Sequence, residues 1–563
     1  MIANNKQLPV MLLVAFVAWC AVDTPAQAAE APPGKSSLSS AFRNSTESAD
    51  EVMSKAVKRE HVFISRMRQL HPLAETYIQN LRNDKELGEV PVSDQYFLGR
   101  LDLTQEIQDK SLLKRPGFVQ RFTNNLSLLF RLEFVPLGFA QTIVPDMDFG
   151  QQYYTFDLVQ REFLGDIRCF VIDVQPKPGS AEGRFLGRIW VEDQDYNIVR
   201  FNGTYKSRKH NYFHFDSWRM NVQPGMWLPT YIYSEETNVK GLHFKAETHL
   251  WSYNARRDGQ NGEYSQILVD TQSVHDESET ARGATPVESE RLWIKEAEDN
   301  AINGMQRLGL IAPASPADKV LQTVINNLVI TNNLNVSPDL RARVLLTTPL
   351  ESFTIGNTIL ISRGLLDVLP DEASLAMVLA HELGHIVAGV HIDTQFAFND
   401  RMLFREEDTF KRLDFRRDAA DEQAADAKAL QLLANSPYKD KLSGAGLFLE
   451  ALQARAPELK NLIRPHLGNA MANASQVRMS ALLSSAPKLE VGNVDQIAAL
   501  PLNGRIVVDP WSDSVELAKA PTIALKSASE KMPFEVTPLF PHLTRFVQEG
   551  SVNAESSQAG SAD

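Results

Sequence analysis

The spacing of apolar positions changes several times along the chain, and each change predicts a different kind of element. From Ser48 to about Asn83, residues such as Val52, Ala56, Val62, Met67 and Leu70 recur at helical spacing, which predicts a helical N-terminal region over 46–150. From about Gln151 to Tyr253 the pattern becomes short aromatic and β-branched runs broken by Gly, Pro and Asp. Examples are 168–174, 187–191, 197–201 and 227–233, and strands at this spacing predict a β-rich domain over 151–274, curved or closed and antiparallel. A polar stretch from His275 to Glu290 reads as a linker. Helical spacing then returns at 297–310 and 319–330, followed by a strand pair (Arg343 to Thr347, Phe353 to Ile361). Two strong helices come next, near 371–390 and 418–434. Around Leu500 the texture shifts to a small β-containing appendage over 491–547. The expected class is therefore α+β, with a mainly helical domain at 291–490 that carries a small edge sheet.

The ends read differently. Lys6, an apolar run from Leu8 to Val22 and the Ala26-Gln27-Ala28 site form the pattern of a cleaved secretory signal over 1–28. The run is shorter than the roughly 20 residues that span a bilayer. Val17-Ala18-Trp19-Cys20 approximates a lipid-attachment box, with Trp19 where a small residue is wanted. The expected compartment is thus the bacterial periplasm, with a lipid anchor at Cys20 the lesser alternative. Residues 29–45 and 548–563 have the composition of a disordered leader and tail.

Of 563 residues, 57 are Lys or Arg and 70 are Asp or Glu, a balance of −13 that argues against nucleic acid as a partner. The two cysteines are Cys20 and Cys169, so removal of the signal leaves Cys169 alone, and it reads as a buried strand residue.

The sharpest chemistry is His381-Glu382-Leu383-Gly384-His385. Pro370-Asp371-Glu372 supplies an N-cap and an acidic first turn, and Ser374 to Val390 is otherwise almost wholly apolar, so the motif lies on a buried helix. Buried imidazoles and a carboxylate are costly without partners. Four residues apart, the two His share one face and both reach one Zn²⁺ at ~2.1 Å. A catalytic zinc wants a third protein ligand. Glu422, in Asp421-Glu422-Gln423-Ala424-Ala425-Asp426, is the candidate, with Asp426 one turn on to orient a ligand imidazole. The surrounding Ala residues allow the two helices to approach closely. The plainer reading of this acidic segment is a solvated helix face.

His-Glu-x-x-His followed by Glu-x-x-x-Asp on a later helix resembles the zinc endopeptidases of the HtpX, Oma and BepA type, metallopeptidase family forty-eight, over roughly 290–490. Asn357 to Leu366 looks like that family's strand and turn before the active-site helix. The resemblance implies a gluzincin fold, one Zn²⁺ per chain on His381, His385 and Glu422, Glu382 as general base, and endopeptidase activity on proteins. The expected substrate is in extended form and adds an antiparallel strand along Phe353 to Ile361, with Asn357 and Ile359 in contact. The family's His-Pro followed closely by Arg has an imperfect counterpart in Pro465-His466 and Arg478, which makes His466 and Arg478 candidates for oxyanion stabilisation. His391 reads as a helix-end surface residue.

Two stretches carry paired readings. Residues 392–417, with Phe396, Phe398, Phe404, Phe410 and Phe415, read either as a flap over the cleft or as an amphipathic helix packed on the core. The β-rich region faintly resembles the half-barrel of periplasmic lipoprotein carriers of the LolA kind, which would imply contact with a membrane lipid or an outer-membrane protein; otherwise it is a scaffold. The alternative function is accordingly a periplasmic chaperone or client-binding protein with a silent zinc site. Oligomeric state is not legible.

Overall fold

The computed structural model describes residues 48–546 except 85–87, 103–107, 113–138, 181–182, 207–212, 240–241, 254–285, 337–339, 390–409, 413–414, 491–505, 510–513 and 518–533. The signal, leader and tail, most of the linker and His391 lie outside the described residues. No helix among the described residues is long and apolar enough to cross a membrane.

After helix α1 (Ala49–Met67), the chain forms β1 (Leu73–Asp84), β2 (Gly88–Asp102) and β3 (Gln108–Ser111). This corrects the expectation of a helical region over 46–150. After Met67 the chain leaves the helix through tight turns, Gln69 N–H to the Arg66 carbonyl and Leu70 N–H to the Met67 carbonyl, and Pro72 then disfavours helical geometry at His71. The strands β4 (Tyr154–Leu164), β5 (Ile167–Pro176), β6 (Arg184–Glu192), β7 (Ile198–Lys206), β8 (His214–Gln223), β9 (Met226–Val239) and β10 (Leu242–Trp251) follow as a meander. All ten form one sheet in the order β3-β2-β1-β10-β9-β8-β7-β6-β5-β4, antiparallel at every pairing. The expected β domain is therefore larger than 151–274, because β1 docks on β10.

Apart from the edge strand β4, most of whose residues are exposed, the sheet is covered on both faces. One face, with Ala74, Ile78, Phe170, Phe201 and Phe244, is covered by Val52, Met53, Ala56 and Ile64 of α1. Glu60 of α1 meets Arg219 of β8 across this contact at 2.7 Å, both 1% exposed, and Arg219 stacks on Phe63. Cys169 is buried in β5, and its thiol is pushed up to about 12 by burial first and then by Glu192 and Asp193, in keeping with an inert strand residue.

The other face, with Leu73, Tyr77, Trp190, Trp218 and Tyr231, shares a core with the second half of the chain. That half comprises helices α2 (Pro286–Arg307) and α3 (Pro316–Thr331), strands β11 (Arg341–Leu345), β12 (Ser352–Ile355) and β13 (Thr358–Ser362), and helices α4 (Arg363–Val368), α5 (Glu372–Ala388), α6 (Ala419–Ala434), α7 (Leu442–Arg455) and α8 (Lys460–Ile463). Residues 286–290, expected in the linker, open α2, since Pro286 suits a first helical turn. The expected strand Phe353 to Ile361 is two strands of a hairpin. Gly356, with φ +56°, and Asn357 make its two-residue turn, and a Gly first in such a loop matches the twist of the strands. The small sheet has the order β11-β13-β12, which leaves β12 at an edge.

Buried polar contacts bind the two halves. Glu75 of β1 takes Arg363 at 2.7 Å and the Thr348 backbone N–H at 2.6 Å, and Asp94 of β2 accepts the backbone N–H groups of Asn461 and Leu462. The expected C-terminal appendage resolves into a two-strand ribbon, β14 (Ile506–Val508) and β15 (Val515–Leu517), and an extended run at 534–546. That run crosses the large sheet. Gln79 bonds the Phe534 carbonyl and the Val536 N–H, Asp166 N–H donates to the Leu543 carbonyl, and Arg545 meets Glu192 at 2.8 Å.

Candidate metal centre

Helix α5 begins at Asp371, whose carboxylate accepts the Ser374 N–H at 2.7 Å, and every residue from Ala373 to His385 is buried. Helix α6 begins at Asp418, which accepts the N–H groups of Ala420 and Asp421. The two helices touch where both are smallest: a Cβ placed on Gly384 would lie 2.7 Å from the Ala425 carbonyl oxygen. This approach brings Glu422 to the His pair.

His381 Nε2 is 3.4 Å from Glu422 Oε2, and His385 Nε2 is 3.5 Å from Glu422 Oε1. One donor atom from each of the three lies within 4.8 Å of the others. Four donors at ~2.1 Å around a tetrahedral zinc stand ~3.4 Å apart, so the spacing and the donor set fit that ion. His381 Nδ1 is 3.0 Å from Asp426 Oδ1, and Asp426 Oδ2 accepts the Met479 N–H at 3.1 Å. Asp426 therefore stands where it holds the His381 ring with Nε2 towards Glu422.

The electrostatics follow from this packing. Burial opposes charge on His381, but the contacts to Asp426 and Glu422 outweigh it and raise its pKa to about 10 in the metal-free protein. Burial likewise opposes charge on Glu422. The two imidazoles and Arg478 prevail and hold it down to about 2. The centre thus favours a carboxylate facing positive charge, the arrangement that a divalent cation also satisfies.

Glu382 lies between the two His in sequence and points into the same pocket, where the Ser352 hydroxyl of β12 donates to its Oε1 at 2.7 Å. The pocket is completed by Phe353, Thr354, Phe415, Arg417, residues 469–471 and Arg478. Phe353 and Phe415 stack at 4.9 Å. Arg478 Nη2 is 2.8 Å from Glu422 Oε2.

The structure brings together His381, Glu382, His385, Glu422, Asp426 and Arg478. It does not bring in the others. The His466 ring stacks on Tyr96 at 5.1 Å, and its backbone N–H donates to Glu351, so His466 is not among the pocket-lining residues. Burial first, then Arg416, lowers its pKa to about 4, which suits a neutral packing ring. Ile359 sits on the central strand β13 with no exposure, and Asn357 occupies the hairpin turn; neither lines the pocket. The edge strand is β12, because β13 is paired on both sides. Phe410 and Phe415 are buried, which fits packing on the core, while Phe396, Phe398 and Phe404 lie outside the described residues. Ser352, Arg417 and Asn469 are not legible in the sequence, since each acts through contacts made only in the folded chain.

A family model described as peptidase family M48 matches residues 317–405. The match supports a protease of the M48 metallopeptidase family, whose members depend on zinc. No curated protein matches the chain. Among solved structures, a LolA superfamily protein from Nitrosomonas europaea is 13% identical, covering 37% of this chain and 94% of its own, with a TM-score of 0.20. A DUF1329 family protein from Desulfovibrio piger is 14% identical over 38% of this chain and 98% of its own, also at 0.20.

Proposed function

We propose that this chain is a zinc-dependent endopeptidase of the HtpX, Oma and BepA type that cuts extended segments of exported or envelope proteins in the periplasm. The observation that carries the reading is the convergence of His381, His385 and Glu422 beside a carboxylate, Glu382, that stands outside this triad and faces the same pocket. Zinc held by the three ligands supplies Lewis acidity at the scissile carbonyl and at the attacking water.

The chain's own residues do the rest. Glu382, with Oε1 fixed by Ser352, keeps Oε2 for the water's proton and passes it to the leaving amine. Asp426 orients His381. Arg478 places positive charge beside the pocket, where the carbonyl oxygen gains negative charge. An extended substrate adds a strand to β12, which reads main chain more than side chain and so favours unfolded segments.

The test is digestion of casein by the purified protein, abolished by a chelator and restored by Zn²⁺. Glu382→Gln is expected to retain one zinc per chain and lose hydrolysis. Full activity in that variant removes Glu382 from the mechanism. Zinc-loaded protein that cuts no unfolded substrate refutes the peptidase reading in favour of a client-binding protein.

A further inference from the structure

The free edge of β12 is already occupied. In the β12–β13 hairpin, Phe353 faces Leu360 and Thr354 faces Ile359, and the Ser362 N–H donates to the Glu351 carbonyl. Residues 351, 353 and 355 therefore spend their backbone groups on β13, and Ser352 and Thr354 turn theirs to the opposite side. That side borders the pocket with His381 and Glu382. The Arg417 Nη2 donates to the Thr354 carbonyl at 3.2 Å. Gly468 lies against the other outward carbonyl, since a Cβ there would be 2.9 Å from Ser352 O.

The main chain of Arg417 is held separately. Its N–H donates to Asn469 Oδ1 at 2.8 Å, and its carbonyl accepts from Asn469 Nδ2 at 2.9 Å. The guanidinium can therefore swing away while the segment entering α6, and with it Glu422, stays anchored.

We propose that Arg417 is a latch on the substrate-binding edge. It holds the Thr354 acceptor that an incoming extended peptide needs for its own N–H, so a peptide must displace the guanidinium to pair with β12 at Thr354. The inference rests on the peptidase reading, because it takes β12 as the strand that substrate joins. It adds a residue that sets how easily any extended chain enters, whatever its side chains.

The experiment measures binding apart from hydrolysis. A fluorescent, unstructured casein-derived peptide is titrated by anisotropy into zinc-loaded Glu382→Gln protein, with and without Arg417→Ala. Arg417→Gln, too short to reach Thr354 while keeping a polar tip, serves if the alanine variant does not fold. Release of the latch is expected to tighten Kd at least fivefold and, with Glu382 intact, to lower KM by a similar factor. An unchanged or weaker Kd, or no measurable binding in either protein, overturns the latch. Casein cleavage by the unaltered protein together with an unchanged Kd leaves the peptidase standing without it. Tighter binding with no cleavage by zinc-loaded protein keeps the latch and refutes the peptidase.

Discussion

Gly384→Ala tests whether the contact between α5 and α6 sets the metal geometry. The new methyl would sit 2.7 Å from the Ala425 carbonyl oxygen, about 0.7 Å short of the 3.4 Å at which ordinary contact begins. Both partners there are helix backbone, so no flexible side chain absorbs the overlap, and the helices must part. Metal–ligand distances tolerate shifts of only ~0.2 Å. Ala improves helix propensity by ~1 kcal/mol over Gly, which offsets part of the cost to the fold. With zinc bound, His385 and Glu422 are drawn together, and the overpacking strain of ~1–3 kcal/mol falls on binding. That range corresponds to a zinc affinity ~5- to 150-fold weaker. The assay is competition for zinc against a chromophoric chelator, with the Tm of the metal-free protein followed by circular dichroism. A Kd within twofold of the unaltered protein refutes the argument that this contact holds the ligands in register.

Other expectations follow from the same structure. Asp426→Ala frees the His381 ring and is expected to weaken zinc binding ~10- to 100-fold, read by the same competition. Glu351 is buried, and desolvation raises its pKa from 4.5 to about 7 against the His466 and Leu467 N–H groups that lower it. The fold thus favours its protonated form: its contribution is complete below pH 4.5 and is lost as pH rises through 7, by up to ~3 kcal/mol. Glu351→Gln should match the unaltered protein at pH 4.5 and exceed it increasingly towards pH 8 in urea unfolding; a pH-independent gap refutes this. Glu60→Ala leaves Arg219 buried without its partner and should cost ~3–5 kcal/mol, measured by the same unfolding.

The candidate centre was largely legible in the sequence because metal-ligand types on helices recur at fixed intervals: four residues from His381 to His385, and again from Glu422 to Asp426. What intervals cannot supply is which distant loop meets them, so Arg478 and His466 look equally eligible until the fold seats one at Glu422 and the other on Tyr96. Strand β1 shows a different failure. Leu73, Ala74, Tyr77 and Ile78 are all buried, with Leu73 and Tyr77 on one face and Ala74 and Ile78 on the other. A strand covered on both sides loses its alternation, and these positions imitate helical spacing. Pro72 was the available signal. The hairpin at Gly356-Asn357 had its own signal, since Gly-Asn between two short strand-like runs marks a two-residue turn.

The hold of Glu75 on Arg363 and Thr348, and of Asp94 on Asn461 and Leu462, spans 288, 273, 367 and 368 positions of sequence. A shortened chain starting at residue 286 would contain every proposed ligand, yet it would leave Arg363, 2% exposed here, without its counter-charge, and Asn461 and Leu462 without their acceptor. The half that carries the candidate centre is therefore no transplantable cassette: its first supporting carboxylate is made almost three hundred residues before the groups it must steady.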